Sequence, residues 1–160
     1  MRPRRRVAPL VEDDGLAELG CACANSRRVA RMLTQLYDRH LQGSGLEAPQ
    51  FALMATLDAH GPCTQTTLGR HHGMDKTTVS RNVSMLRRNG WIARSPALDR
   101  RERRIGLTPA GRGMLASARP RWQQAQRSLQ GAMTASQWRE LFSALRSAAT
   151  AAHRLRGETI

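Results

Sequence analysis

Two groups of residues in this 160-residue chain have the types and spacing to do chemistry. One is thiols. Cys21 and Cys23 stand one residue apart in "LGCACANSRR", and Cys63 in "GPCT" is the only other cysteine. The second group is the cations and short hydroxyl side chains of "GMDKTTVSRNVSMLRRNGW" and "ALDRRERRIGLTPAG". Thiolates are soft ligands and select soft or thiophilic species. Three of them suit a trivalent metalloid, As(III) or Sb(III), better than zinc, whose closed sites take four ligands. Cys21, Cys23 and Cys63 are therefore candidate ligands for a metalloid or soft metal. Two other roles stay open: small apolar packing, and an oxidant switch in which a sulfenic acid on one cysteine is resolved by another as a disulfide.

Geometry constrains the pair. Residues i and i+2 on a helix point about 200° apart, so one small ion cannot reach both sulfurs across a regular helix. A shared site needs a non-helical start, which a cap at Asn25 or Ser26 would provide by leaving 20–24 extended or turned. The histidines make a weaker metal set. His71 and His72 are adjacent, His40, His60 and His153 are scattered, and all five are read as ordinary surface or core residues.

The second group belongs to a chain of formal net charge +14. Between Arg70 and Arg121 stand thirteen arginines and lysines against Asp75, Asp99 and Glu102. Such asymmetry points to a polyanionic partner. Lys76 is the only lysine, and arginine is the side chain suited to forked contacts with phosphate or guanine. No nucleophile–base pair, glycine-rich phosphate loop, H-E-x-x-H or paired-carboxylate spacing appears, so the chain is expected not to be an enzyme and to require no cofactor. No stretch approaches the roughly 20 apolar residues of a membrane span. The basic start "MRPRRRVAPLVEDDG" lacks the apolar region of a signal peptide, so residues 1–15 are read as a disordered or loosely held basic arm. No membrane partner is expected. The chain is read as cytoplasmic, with its cysteines reduced.

These residues need elements to hold them. An apolar stripe through Ala22, Val29, Leu33, Leu36 and His40 predicts a long amphipathic helix from about Leu16 to Leu41. "QGSGLEAP" breaks it, and a second helix opens with Pro49 near its first turn and closes on Gly61. Two short helices follow around a tight turn, with Thr64 capping the first, Gly73 ending it and Asp75 capping the second. In that second helix Val79, Val83 and Leu86 share one face. Lys76, Thr77, Ser80, Arg81, Ser84 and Arg88 lie largely on the other.

The period then changes. Trp91-Ile92-Ala93 and Arg104-Ile105-Gly106-Leu107 read as strands of a hairpin whose turn contains Asp99 and whose tip is arginine-rich. Thr108 and Pro109 restart a helix to about Gly131, with a kink at Pro120. Thr134 with Gln137 forms a capping box for a last helix, whose apolar stripe of Trp138, Leu141, Leu145, Ala148, Ala152 and Leu155 needs a partner.

Helix, turn, polar-faced helix and arginine-tipped hairpin compose a winged helix-turn-helix. One helix enters the major groove while the wing lays arginines along phosphates or into the adjacent minor groove. The fold class is mainly α with a small β-hairpin wing. Residues 16–160 are expected to form one chain fold, with helices over 16–45 and 109–158 flanking a DNA-binding region over 49–108.

"GMDKTTVSRNVSMLRRNGWI" and "DRRERRIGLTPAGR" resemble the recognition helix and wing of the multiple antibiotic resistance regulator (MarR) family, and the likeness runs from about residue 20 to 155. It is most specific at Asp99, Arg101, Leu107, Thr108 and Gly111. The resemblance implies a homodimer whose first and last helical regions, 16–45 and 109–158, are dimerisation helices that intertwine, bound to double-stranded DNA at a pseudo-palindromic operator, and mostly a repressor released by a small ligand, metal ion or oxidant. It implies DNA contacts by Lys76, Thr77, Thr78, Ser80, Arg81, Ser84 and Arg88. Arg101 would sit at the wing tip, oriented by Asp99, with Arg103 and Arg104 on phosphates. The effector expected from the cysteines is thiol-reactive, a metalloid or soft metal at Cys21, Cys23 and Cys63. Alternatives are a cysteine-oxidation sensor, a repressor responding to a small aromatic ligand, and a non-specific architectural DNA-binding protein.

Overall fold

The computed structural model describes residues 20–95, 102–155 and Gly157. The basic arm and the wing tip, with Asp99 and Arg101, lie outside the described residues. The first helix, α1, spans Ala22–Leu41. It starts earlier than a cap at Asn25 or Ser26 would allow. Cys21 occupies the N-cap position with extended backbone, φ −97° and ψ 107°, and its carbonyl accepts the Asn25 N–H at 3.1 Å. Asn25 is therefore inside the first turn, and Cys23 with it.

After α1, Gly43 and Gly45 take positive φ in the turn to α2, Ala48–His60. Asp38 of α1 accepts the Ala48 N–H at 2.6 Å, so one helix helps start the next. Glu47 and Gln50 add a reciprocal box: the Glu47 N–H donates to Gln50 Oε1 at 3.1 Å, and Gln50 Nε2 donates to Glu47 Oε2 at 2.9 Å. That pairing satisfies Gln50, a buried polar residue that unpaired would be costly.

Three short strands follow where two were expected. The extra one, β1, is Cys63–Thr64, and it leads into α3, Gln65–His71. Helix α4 is Lys76–Arg88, and the wing strands are β2, Ile92–Arg94, and β3, Arg104–Leu107. β3 is central in an antiparallel sheet of order β1-β3-β2, with Cys63 opposite Ile105 and Ile92 opposite Leu107. β2 sits one residue later than periodicity suggests because the Trp91 N–H donates to the Leu86 carbonyl at 3.0 Å and extends the turn after α4.

Helix α5, Pro109–Gly131, stays a single helix through Pro120. Thr108 caps it, its hydroxyl accepting the Gly111 N–H at 3.0 Å. Gly111 is buried against the Trp91 backbone, which leaves no room for a Cβ. The last helix, α6, is Ala135–Leu155. Its expected box is present: the Thr134 N–H donates to Gln137 Oε1 at 2.8 Å, and the Gln137 N–H to Thr134 Oγ1 at 3.2 Å.

The core gathers Phe51, Leu53, Met54 and Leu57 of α2 with Leu68, Val79, Val83, Leu86, Ile92, Ile105 and Leu115. Each such side chain contributes about 1.5–3 kcal/mol by leaving water. Trp122 of α5 stacks on Phe51 with ring centroids 5.5 Å apart, and the Tyr37 hydroxyl of α1 donates to Gln126 of α5. These contacts fix α5 against α1 and α2. By contrast α6 buries no residue, and Phe142, Leu145 and Leu155 are 42%, 53% and 89% exposed. Among the described residues no helix is long and apolar enough to cross a membrane.

Candidate nucleic-acid interface

The start of α4 is set by Asp75, whose carboxylate accepts the Thr78 N–H at 2.8 Å and the Thr78 hydroxyl at 2.8 Å. The Thr78 N–H bond, followed by the hydroxyl bond, holds the Asp75 carboxyl below the usual carboxylate range. Thr78 thereby turns its hydroxyl toward its own cap. Val79, Val83 and Leu86 are buried as the spacing requires. Lys76, Thr77, Ser80, Arg81, Ser84 and Arg88 line one open recess on the opposite side. Six of the seven α4 positions singled out from the sequence thus share a surface, with Thr78 beside it.

A second cleft lies between the end of α4 and the wing. Arg87, Arg94, Arg103 and Arg104 line it together with Ile92 and Ile105. Arg94 falls one residue past the strand that the periodicity predicts, so the sequence pattern does not single it out. Its spacing of two from Ile92, which puts both on one face of the strand, was the signal available. Not every cation in the region is free to meet an anion. Arg104 Nε pairs with Glu102 at 2.7 Å, and Arg112 Nη1 donates to the Leu107 carbonyl at 3.1 Å. Lys76, Arg81, Arg87, Arg88 and Arg103 have no side-chain partner among the described residues. Unpaired cations on a convex helix and its flanking cleft fit a polyanion with two grooves.

The histidines cluster more than the sequence suggests. His60 and His71 stack with centroids 5.8 Å apart, and His72 Nε2 lies 2.9 Å from the Thr56 hydroxyl. Burial, and then the neighbouring His71, push the His72 pKa down. The cluster pins the end of α3 to α2.

Cys21 and Cys23 are exposed, one at the cap of α1 and one in its first turn. Cys63 is half-buried in β1, where burial raises its pKa and the Arg104 charge opposes the rise. No three His, Cys, Asp or Glu side chains come together as a metal-holding group among the described residues. The three-thiolate arrangement is therefore not assembled within one chain, because pairing with Ile105 keeps Cys63 in the sheet at the base of the wing.

The MarR family model matches residues 46–102, from the start of α2 into the wing. A crystal structure of the M. tuberculosis transcriptional regulator MosR is 34% identical, covering 82% of this chain and 96% of that one, with a TM-score of 0.70. The chain belongs to the MarR family. A MosR structure in complex with DNA matches at 35% identity over 82% of this chain and 98% of that one, also with a TM-score of 0.70. A probable transcriptional regulator from Pseudomonas aeruginosa is 27% identical, covering 79% of this chain and 95% of that one, with a TM-score of 0.70. The HTH-type transcriptional regulator YwoH of Bacillus subtilis is 30% identical over 79 residues, which span 49% of this chain and 58% of that protein. Within this MarR-family fold, the α4 recess and the arginine-lined wing cleft occupy the helix-turn-helix and wing respectively.

Proposed function

We propose that this chain is a homodimeric transcriptional repressor, working in the cytoplasm, that holds a pseudo-palindromic operator through α4 and the wing and releases it when a thiol-reactive effector engages Cys21 and Cys23. The observation that carries the DNA-binding reading is the set of unpaired cations and short hydroxyl side chains on the exposed face of α4. The DNA complex of MosR supports it. A second copy of the chain accounts for the apolar residues that α6 leaves in water and for Val29 and Met32 on α1. Two-fold symmetry then places two recognition helices on half-sites about one helical turn apart.

The effector reading rests on the two exposed thiols at the start of α1. A metalloid with three thiolates takes Cys63 of the partner subunit as its third ligand, since the three thiols do not come together within one chain among the described residues. A second reading is favoured by two adjacent thiols being exposed without a third. A hydroperoxide oxidises one thiolate to a sulfenic acid with loss of water or an alcohol. The other thiol then attacks that sulfur, forming a disulfide and releasing water.

Reduced protein bound to its own upstream DNA, titrated separately with arsenite, antimonite, zinc, cadmium and hydrogen peroxide, tests these readings. Each single Cys→Ser variant is run alongside. Release by arsenite that needs all three cysteines supports the metalloid; release by peroxide that needs only Cys21 and Cys23 supports the oxidant. Release by none, or release unchanged in every variant, overturns thiol sensing and leaves an organic ligand as effector. Equal affinity for upstream and bulk DNA overturns the repressor in favour of an architectural protein.

A further inference from the structure

We infer that α4 selects its half-site through a guanine contacted by Arg81. This rests on the operator-binding reading above and names what that site recognises. Arg81 is exposed and has no hydrogen-bond or ion-pair partner among the described residues. Its neighbours on the same face are short: Thr77 one turn before and Ser84 one turn after. Nothing bulky stands between its guanidinium and a groove floor. Asp75, the carboxylate preceding α4, is committed to Thr78 and draws no cation along the helix.

Position along the helix separates Arg81 from the other cations. Recognition helices present their N-terminal part to base edges. Arg81 lies five residues after Lys76, about 7.5 Å of helix rise, whereas Arg88 lies about 10 Å further on, in the last turn. A groove about 8.5 Å deep brings the first half of α4 to the bases and leaves Arg87 and Arg88 level with the phosphates. The planar fork of arginine matches the O6 and N7 acceptors of guanine.

The same helix lacks an adenine contact of equal quality. Asparagine and glutamine pair with adenine by presenting both amide atoms to N6 and N7. Asn82 is half-buried and folds back, its Nδ2 donating to the Thr78 carbonyl at 2.9 Å. The Asn89 Nδ2 turns toward Met85 Sδ at 3.4 Å. Arg81 is therefore the one side chain at the middle of α4 with two donors available to a single base.

The test selects binding sites from a random duplex pool with the full chain, then replaces each guanine of the selected half-site by 7-deazaguanine, which lacks the N7 acceptor. One guanine per half-site is expected to lower affinity about ten-fold or more when so replaced. Arg81→Ala, folded by circular dichroism, is expected to lose the preference at that base alone, about ten- to hundred-fold, and to become insensitive to the 7-deaza substitution there. Arg88→Ala is expected to weaken binding evenly across sequences and to keep the preference. A preference retained by Arg81→Ala, or a uniform loss across all sequences, overturns the assignment while leaving operator binding intact. Failure of the unaltered chain to select any sequence overturns operator binding itself.

Discussion

Replacing Gly111 with alanine puts a methyl group into the Trp91 carbonyl. The new Cβ would overlap the carbonyl oxygen outright and lie 2.8 Å from the carbonyl carbon and 3.1 Å from the Trp91 Cα. Restoring an ordinary C···O separation of about 3.3 Å requires the start of α5 and the turn before β2 to part. That movement strains the Thr108 N–H bond to the Trp91 carbonyl, 3.0 Å long. Overpacking costs about 1–3 kcal/mol, and a weakened hydrogen bond adds about 0.5–1.5 kcal/mol. Alanine's better helix propensity returns about 1 kcal/mol, so the net loss is about 2 kcal/mol. Gly113 is the control: it lies in the same helix, and a Cβ there meets nothing within 4 Å. Gly113→Ala should gain about 0.5–1 kcal/mol, which separates the two variants by about 3 kcal/mol. Urea unfolding at one fixed protein concentration measures the difference as a shift of midpoint at constant slope. Equal midpoints for the two variants would refute the packing argument.

Three further outcomes follow from other parts of the molecule. The folded state keeps His72 neutral because burial and His71 lower its pKa; the stability this provides is complete above the ordinary value of 6.5 and is lost as pH falls from there through the lowered folded value. His72→Gln should flatten the decline of the urea midpoint between about pH 7 and 5, and an unchanged slope would count against it. Leu145→Asp on the uncovered face of α6 should halve the mass measured by light scattering while helicity persists; a dimer of unchanged mass would place the interface elsewhere. With about 6–10 phosphates neutralised per dimer, operator affinity should fall by about 10³–10⁵ between 50 and 200 mM salt, and a gel shift insensitive to salt would contradict the phosphate contacts.

Helix starts were legible wherever a side chain with a strong capping preference stood before an apolar stripe, as at Thr64, Asp75, Thr108 and Thr134. The start of α2 was legible from Pro49, which stands in its first turn, although the cap itself was not, because Glu47 is not a favoured cap and works through Gln50. The start of α1 was hidden for a similar reason: Cys21 holds the N-cap position without any side-chain hydrogen bond. The exposed face of α4 could be read because one helical period sorts Val79, Val83 and Leu86 from Arg81, Ser84 and Arg88. β1 could not, since two residues carry no periodicity and become a strand only by pairing with Ile105 and Arg104, some forty positions away. The separation of Cys63 from the other thiols follows from that same distant pairing. Thr78 shows the limit of assigning roles by position: it stands among the exposed residues of α4, yet its hydroxyl completes a cap.

β1 also changes what kind of instrument the DNA-binding region is. A hairpin attached only by its own two strands could swing and track grooves of varying width. Here β3 is bonded on both flanks, by β2 and by the segment that leads into α3. The base of the wing and the helix-turn-helix are therefore tied together like the two jaws of a fixed caliper. Where such a caliper closes on a duplex as proposed, the duplex is the partner that adjusts. Sequences that bend or narrow at low energetic cost between the two contact points then gain affinity at base pairs that no side chain touches.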